Sequence, residues 1–512
     1  MSAVAENNRR IARNTLMLYI RMFLTIIISF YTSRIVLKAL GVEDFGIYGA
    51  VGSVVSMFAL FSGTLSAAIG RFITFELGKG DSDRLSKIFS TFLSVLFLLA
   101  VIFFILAEPF GVWFLNTKMV IPEARMSAAN WVFQFSVLAV IVNLLYIPYN
   151  AAVIAHEKMS VFAYISVFEA FGKLSVALLV ANAPVDRLSF YAMLMLLIAA
   201  IIFLVYRFYC KRNFSECKYR FILDRTLMRE LFSFAGWNLI GASSAVFREQ
   251  GGSIVINLFC GASVNAARAI AVQASQAVVG FVQNFMTALN PQITKSYASG
   301  NKEYMMQLVF QGARLSYYLL LLLSLPVIMN TEYILTLWLG NVPAYSAVFV
   351  QLALLFSLSE TISAPLITLM LATGNIRNYQ ILVGGLQVMN FPVSYLLLYC
   401  GLSPEWVQVT AICISQLCLA ARLCMLKGMV GLDVKKYLKK VYLNVLLVTL
   451  VACVLPAVLA NLMSEGFLKL VLTSMVAFVS SVGTMYLVGC DRKERFFVRE
   501  KIDVVVKRIA KR

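Results

Sequence analysis

Charge is scarce in this chain and histidine almost absent. Only 13% of the 512 residues are charged and one is histidine, while 61% are hydrophobic and the mean hydropathy is +0.83. Soluble chains carry about 25% charged and about 45–50% apolar residues, so a water-soluble multidomain enzyme and a disordered chain are both excluded. One histidine cannot build a multi-histidine metal site. Cys210, Cys217, Cys260, Cys400, Cys413, Cys418, Cys424, Cys453 and Cys490 form no C-x-x-C pair, and most lie inside apolar runs. They read as small, reduced, buried hydrophobes, with no zinc or haem signature. No G-x-x-x-x-G-K-[ST] motif occurs and no loop is long enough for a nucleotide-binding domain, so ATP is not the direct energy source within this chain. A membrane acyltransferase or metalloprotease would want catalytic histidine. His156, in the short run Ala155-His156-Glu157-Lys158, has no partner by spacing and reads as a surface residue. A glycosyltransferase or polymerase usually needs a large outer loop, and the longest here, about 108–127, is modest. No cofactor is expected.

What is abundant is long apolar sequence. Fourteen stretches approach the roughly 20 residues that cross a bilayer: 15–38, 45–70, 88–107, 128–150, 160–181, 188–208, 231–258, 265–290, 308–330, 345–370, 378–401, 404–426, 441–462 and 468–489. Arg9, Arg10 and Arg13 precede the first as in a signal peptide. That stretch is too long for a signal core of about 7–15 residues and ends in no small-residue cleavage site, so it is expected to be the first span. With the N-terminus inside, inner connections hold 33 of the 44 Lys and Arg, outer loops hold 6, and five lie within spans. This bias expects both termini in the cytoplasm. The net charge of +19 therefore reports topology and contact with anionic lipid, and no nucleic-acid partner is expected.

The expected fold is an all-α polytopic membrane protein of about 14 transmembrane helices. Its expected organisation is an N-lobe of helices 1–6 (1–208), a basic amphipathic cytoplasmic linker (209–230), a C-lobe of helices 7–12 (231–426), helices 13–14 (427–489) and a basic amphipathic tail (490–512). In the linker, Phe221, Leu227, Leu231 and Phe234 recur at helical intervals, as do Val498, Ile502, Val505 and Ile509 in the tail. Both stripes suggest helices lying on the inner surface against anionic headgroups, or merely retention charges. A shift of 220 residues pairs Gly41 with Gly261, Phe61 with Phe281, Ala68 with Ala288, Ile73 with Ile293, Thr74 with Thr294 and Gly80 with Gly300. These pairs bring spans two and eight into register, as expected of a parallel repeat.

A charge in mid-span costs about 2.5–3.5 kcal/mol on insertion scales and needs a reason. Glu169 and Lys173 share a helical face in span five. They are either a self-neutralising pair or an anion-binding lysine tuned by its neighbour. Arg248 and Glu249 lie in span seven, where Arg248 shares a small-residue face with Gly241, Ser244 and Gly252. Arg21 and Arg34 lie about 140° apart on span one and cannot both face one cavity unless the helix kinks. Arg34, Arg268, Arg314 and Arg422 are near enough to a surface to snorkel. Glu360 in span ten joins Glu169 and Glu249 as a coupling-ion candidate. Amides recur every seven residues at Gln276, Gln283 and Asn290, at Gln380 and Gln387 (followed by Ser394), and at Asn143 and Asn150 after Ser136. They suit either sugar hydroxyls or helix-to-helix bonding.

Several motifs together resemble the polysaccharide exporter branch of the multidrug/oligosaccharidyl-lipid/polysaccharide (MOP) superfamily. They are Asn8 to Thr15, Leu40 to Tyr48, Phe75 to Asp81, Ala151 to Met159, Leu231 to Trp237 and Val264 to Ala271. The resemblance covers nearly the whole chain. It implies a Wzx-type O-antigen or polysaccharide flippase of the bacterial inner membrane. Its two six-helix lobes would form a MATE-like V, with two helices appended. It further implies transport of undecaprenyl-diphosphate-linked oligosaccharide by alternating access, with Lys173, Arg248, Arg21 and Arg34 as cavity cations. H+ or Na+ would drive transport, and the polysaccharide polymerase and chain-length machinery would be partners. Drug-exporting relatives often carry an acid in span one, and none stands between Thr15 and Lys38 here. The alternatives are a cation-coupled small-molecule exporter, or a membrane glycan ligase or polymerase.

Overall fold

The computed structural model describes residues 3–56, 59–117, 121–222, 224–339, 342–464, 466–491 and 494–495. The tail stripe from Val498 to Ile509 lies outside the described residues. Sixteen helices follow one another: α1 Ala3–Ser56, α2 Ala59–Lys79, α3 Ser82–Thr117, α4 Glu123–Ala155, α5 Met159–Ala181, α6 Arg187–Asn213, α7 Arg225–Ala298, α8 Lys302–Met329, α9 Thr331–Leu339, α10 Ser346–Thr373, α11 Arg377–Val388, α12 Asn390–Tyr399, α13 Trp406–Val430, α14 Val434–Tyr437, α15 Leu443–Leu462 and α16 Phe467–Thr484. Among the described residues there is no strand. Lipid supplies no partner for a free backbone amide, so an open sheet edge could not survive there. Aspartates open several helices: Asp186 accepts from the Ser189 amide, Asp224 from those of Thr226 and Leu227, and Asp433 from that of Lys436.

Among the described residues, eleven helical stretches are long and apolar enough to cross a membrane. They match the expected spans except 45–70, 231–258 and 265–290. These three are helical in their described residues, and the first contains the undescribed residues 57–58. The other two lie within α7 and are more polar, carrying Arg248 and Glu249 in one and Gln276, Gln283 and Asn290 in the other.

The chain folds as two compact units. One holds residues 1–242 and 287–302, the other 243–286 and 303–512. In the first, Val51, Ala129, Val132, Val137 and Leu188 form the centre of an apolar core. In the second, Val255, Ile256, Ala267, Leu335 and Leu354 do the same.

The 220-residue offset is visible in the backbone. Gly41 breaks α1 at φ 81°, ψ 170°, and Gly261 breaks α7 at φ 81°, ψ 177°. Gly80 and Gly300 follow the next helix ends at φ 79° and 74°. Burial matches as well: Ala68 and Ala288, and Ile73 and Ile293, are all fully buried, and Thr74 and Thr294 nearly so.

The linker stripe is partly corrected. Leu227, Leu231 and Phe234 share a face of α7, but that face is buried in the first unit, with Phe234 edge-on to Phe72. Phe221 precedes the helix and is 73% exposed. Apolar surface this close to a packed unit gains more by joining the core than by lying on a headgroup layer.

Candidate functional site

Lipid exposure sorts the helix faces. On α5 the exposed large side chains are Tyr164, Phe168, Phe171, Leu178 and Leu179. Glu169 and Lys173 sit roughly 130–170° around the helix from that face, on the side that buries Val176, Ala177 and Val180. They pair at 2.6 Å, yet keep 38% and 42% exposure. Both charges are therefore accessible from the protein side of the helix, away from the lipid.

Arg21 is brought near them. The exposed face of α1 carries Leu16, Phe23, Ile27 and Tyr31, and Arg21 lies about 120° from it. Its guanidinium stands 4.8 Å over the Phe162 ring of α5. Tyr146 of α4 and Tyr206 of α6 meet edge-on at 4.8 Å. Both phenols interact electrostatically with Arg21 and with Glu169. Four helices thus assemble Arg21, Tyr146, Tyr206, Glu169 and Lys173 into one polar cluster with a formal charge of +1. Arg34 is not part of it, being exposed on the face shared with Phe23 and Ile27. The tyrosines were missed because a phenol carries no charge and gives no hydropathy alarm. Both also stand near the ends of their spans, 128–150 and 188–208, where a hydroxyl is unremarkable.

In the second unit Arg248 lies 4.8 Å over the Phe356 ring, half-buried. Glu249 uses its backbone carbonyl to accept from Arg268 at 2.8 Å, and Arg268 also donates to the Ser253 hydroxyl at 2.5 Å. A Cβ on Gly252 would stand 3.1 Å from the Arg268 guanidinium, so the room left by that glycine is filled by arginine. Snorkelling is corrected for three residues. Arg268, Arg314 and Arg422 are all buried, the last only 1% exposed. Each is held among protein groups instead. Arg314 donates to the Gly489 carbonyl (3.1 Å) and Glu494 carboxylate (2.7 Å), while Arg422 interacts electrostatically with Tyr379 and Glu360. Glu360 accepts from Ser415 at 2.7 Å within a network that continues through Ser359, Gln416 and Tyr442.

The amide stripes differ. Gln276 and Gln283 are exposed and Asn290 half-buried, whereas Gln380 is buried and Gln387 half-buried. The exposed face of α7 beyond Gly261 holds Ala269, Gln273, Gln276, Ala277 and Gln283. Among the described side chains between Phe259 and Leu315 none is a large exposed hydrophobic, and the same is true between Phe45 and Phe97, where α2 lies. The first part of α7, by contrast, exposes Phe247, Ile254 and Leu258. In their described side chains the repeat-related pair α2 and late α7 therefore shows no lipid-type surface.

Ionic knots close the ends of the first unit. Arg125 forks onto Asp44 (2.8 and 2.6 Å) and also reaches Asp186 (2.8 Å). Partial burial raises the Asp186 pKa, but hydrogen bonds from Ser189 and Arg125 outweigh it and hold the carboxyl below its ordinary value of 3.8. At the other end His156 is not an isolated surface residue. Its ring stacks on Phe214 at 4.0 Å and its Nε2 meets Glu216 at 2.5 Å. Burial raises the Glu216 pKa, and the His156 hydrogen bond overcomes that to hold it below the usual carboxylate value. Among the described residues no group of three or more His, Cys, Asp or Glu could hold a metal ion.

Comparison with known proteins adds three findings. The family described as "Polysaccharide biosynthesis protein" matches residues 11–297. The uncharacterized membrane protein EpsK of Bacillus subtilis (strain 168) is 22% identical over 330 residues, a match spanning 64% of this chain and 64% of that relative. Solved structures share the fold. An outward-facing multidrug resistance MATE family transporter of the MOP superfamily superposes with a TM-score of 0.70 at 12% identity, covering 83% of this chain and 97% of that one. A MOP superfamily transporter from Pyrococcus furiosus, described by the reversed polarity of its binding pocket, gives 0.67 at 12% identity over 83% and 96%.

Proposed function

The chain belongs to the polysaccharide biosynthesis protein family, and we propose that it carries a polyprenyl-diphosphate-linked oligosaccharide across a bacterial inner membrane by alternating access. One observation carries this reading: Arg21, Lys173, Tyr146 and Tyr206 converge on helix faces turned away from lipid. Intramembrane cations persist where an anion repays their insertion. A diphosphate does so, accepting charge-assisted hydrogen bonds from guanidinium and ammonium and further bonds from the phenols. The Phe162 ring holds the Arg21 guanidinium in place through a cation–π contact. Arg248, braced on Phe356, is the second unit's counterpart, and Arg34, on the lipid-facing side of α1, would meet a headgroup outside this cluster.

Sugar hydroxyls would meet the amide face of late α7, at Gln276, Gln283 and Asn290, together with Gln380 and Gln387. Glu169, Glu249 and Glu360 are the groups through which H+ or Na+ would couple. The chain acts as a transporter and makes or breaks no glycan bond. The polymerase and chain-length machinery would receive its product, and anionic lipids would meet its basic connections.

The test is translocation in proteoliposomes containing the purified chain and a polyprenyl-diphosphate oligosaccharide, read by access of an added lectin or glycosidase. Protein-dependent crossing with the lipid linkage intact is expected. Failure to cross, with orientation and substrate verified, favours a small-molecule exporter. A lengthened or cleaved glycan makes the chain an enzyme.

A further inference from the structure

The turn between α4 and α5 buries a carboxylate where water would be expected. Glu157 has φ 58°, one of two described non-glycine residues with positive φ, in a region that side chains other than Asn and Asp rarely occupy. Its side chain is 1% exposed. Arg10 Nε reaches one oxygen at 2.8 Å, where Gln292 Nε2 also donates at 2.5 Å, and Lys295 Nζ reaches the other at 2.8 Å. The Asn14 amide donates to its backbone carbonyl at 3.3 Å. The partners come from the N-terminal helix and from the end of α7, 135 to 147 positions away in the chain, and all belong to the first unit.

Two features distinguish this cluster from an ordinary surface pair. Two cations and an amide converge on one carboxylate, leaving an excess positive charge, and Arg10 (49% exposed) and Lys295 (24%) remain accessible. The donor-bearing end of α7 also follows Pro291, whose ring removes one backbone donor from the helix. It packs so tightly on α2 that a Cβ on Gly78 would stand 2.8 Å from the Lys295 backbone.

We infer that Glu157 is a built-in stand-in for an anionic ligand, and that Arg10, Gln292 and Lys295 form a receiving site for a diphosphate, which enters by displacing the carboxylate. Donors arranged for two carboxylate oxygens also suit phosphoryl oxygens, and the larger charge of a diphosphate answers the excess cation. Exchange frees the turn at 156–158 and lets the end of α7 move. The assignment of this site to a lipid headgroup rests on the flippase reading. The diphosphate site itself does not.

Full-length protein in detergent is titrated with geranylgeranyl diphosphate, inorganic pyrophosphate and geranylgeraniol. E157Q, which keeps the shape and loses the charge, is expected to bind both diphosphates about tenfold more tightly, because the competing state is weakened. Adding R10A or K295A to E157Q should abolish the gain. Unchanged or weaker binding by folded E157Q overturns the proposal. If that variant does not fold, hydrogen exchange of the 153–160 turn in the unaltered protein decides. Exchange should rise with geranylgeranyl diphosphate and stay constant with the alcohol; protection unmoved by either diphosphate also overturns the site. A response to pyrophosphate equal to that of the lipid assigns the site to a free anion. Translocation without any E157Q effect rejects this inference and leaves the flippase reading standing. The E157Q gain without translocation does the reverse.

Discussion

Gly41 and Gly261 stand 220 residues apart and break their helices with nearly the same backbone angles, φ 81°, ψ 170° and φ 81°, ψ 177°. That region of conformational space is essentially glycine's own. A residue with a Cβ would be strained there whatever its surroundings, and among the described residues neither glycine has a neighbour within 4 Å of where a Cβ would go. The two breaks are equivalent corners of a duplicated helical hairpin.

Replacing either glycine by alanine therefore isolates backbone strain from packing. G41A and G261A should each destabilise by about 1–3 kcal/mol, read as a lowered melting temperature in detergent. Equal losses at the two sites are expected. A loss at only one would show that the corners are not equivalent.

Arg21 and Lys173 test the cationic cluster. R21A and K173A should each reduce glycan translocation by tenfold or more, the loss of one charge-assisted hydrogen bond of about 1.5–3 kcal/mol, with membrane levels unchanged. The double variant E169Q/K173M separates the two readings of that pair. Transport retained would make it structural, and transport lost would make Lys173 a ligand group. R248A is the matching experiment in the second unit.

Asp186 predicts an acid limit to stability. Its folded pKa lies below 3.8, so the folded chain is favoured above that value. The contribution fades as pH falls through the depressed folded value. Melting temperature should therefore drop on acidification below about pH 4, and R125A should both lower stability at neutral pH and flatten this acid-side slope.

Arg422 and Glu360 predict coupling. Arg422 is buried and senses the half-buried Glu360 electrostatically, so neutralising Glu360 should relieve part of the cost of losing the arginine. R422M should be poorly stable, and R422M/E360Q should recover much of the loss. Additive losses in the double-mutant cycle would show that the two charges do not sense each other.

Hydropathy alone determined much of this protein. Bilayer crossing is a one-dimensional demand on consecutive residues, so eleven of the expected spans recur as apolar helices at their expected places. The repeat was legible too, because positive φ selects glycine and glycine is a letter in the chain. Late α7 escapes the hydropathy criterion because its exposed face is amide and alanine.

Tertiary structure alone decided the fate of individual charges. Arg34 and Arg422 are both arginines near a span end, yet one is exposed among lipid-facing side chains and the other is shut against Tyr379 and Glu360. His156 found Phe214 and Glu216, and Glu157 found Arg10 and Lys295, partners that no spacing rule connects. Whether a mid-span charge faces lipid, a ligand or an opposite charge depends on which helix lies beside it. That is settled by packing between segments that lie from 43 (Arg422 and Tyr379) to 147 (Arg10 and Glu157) residues apart.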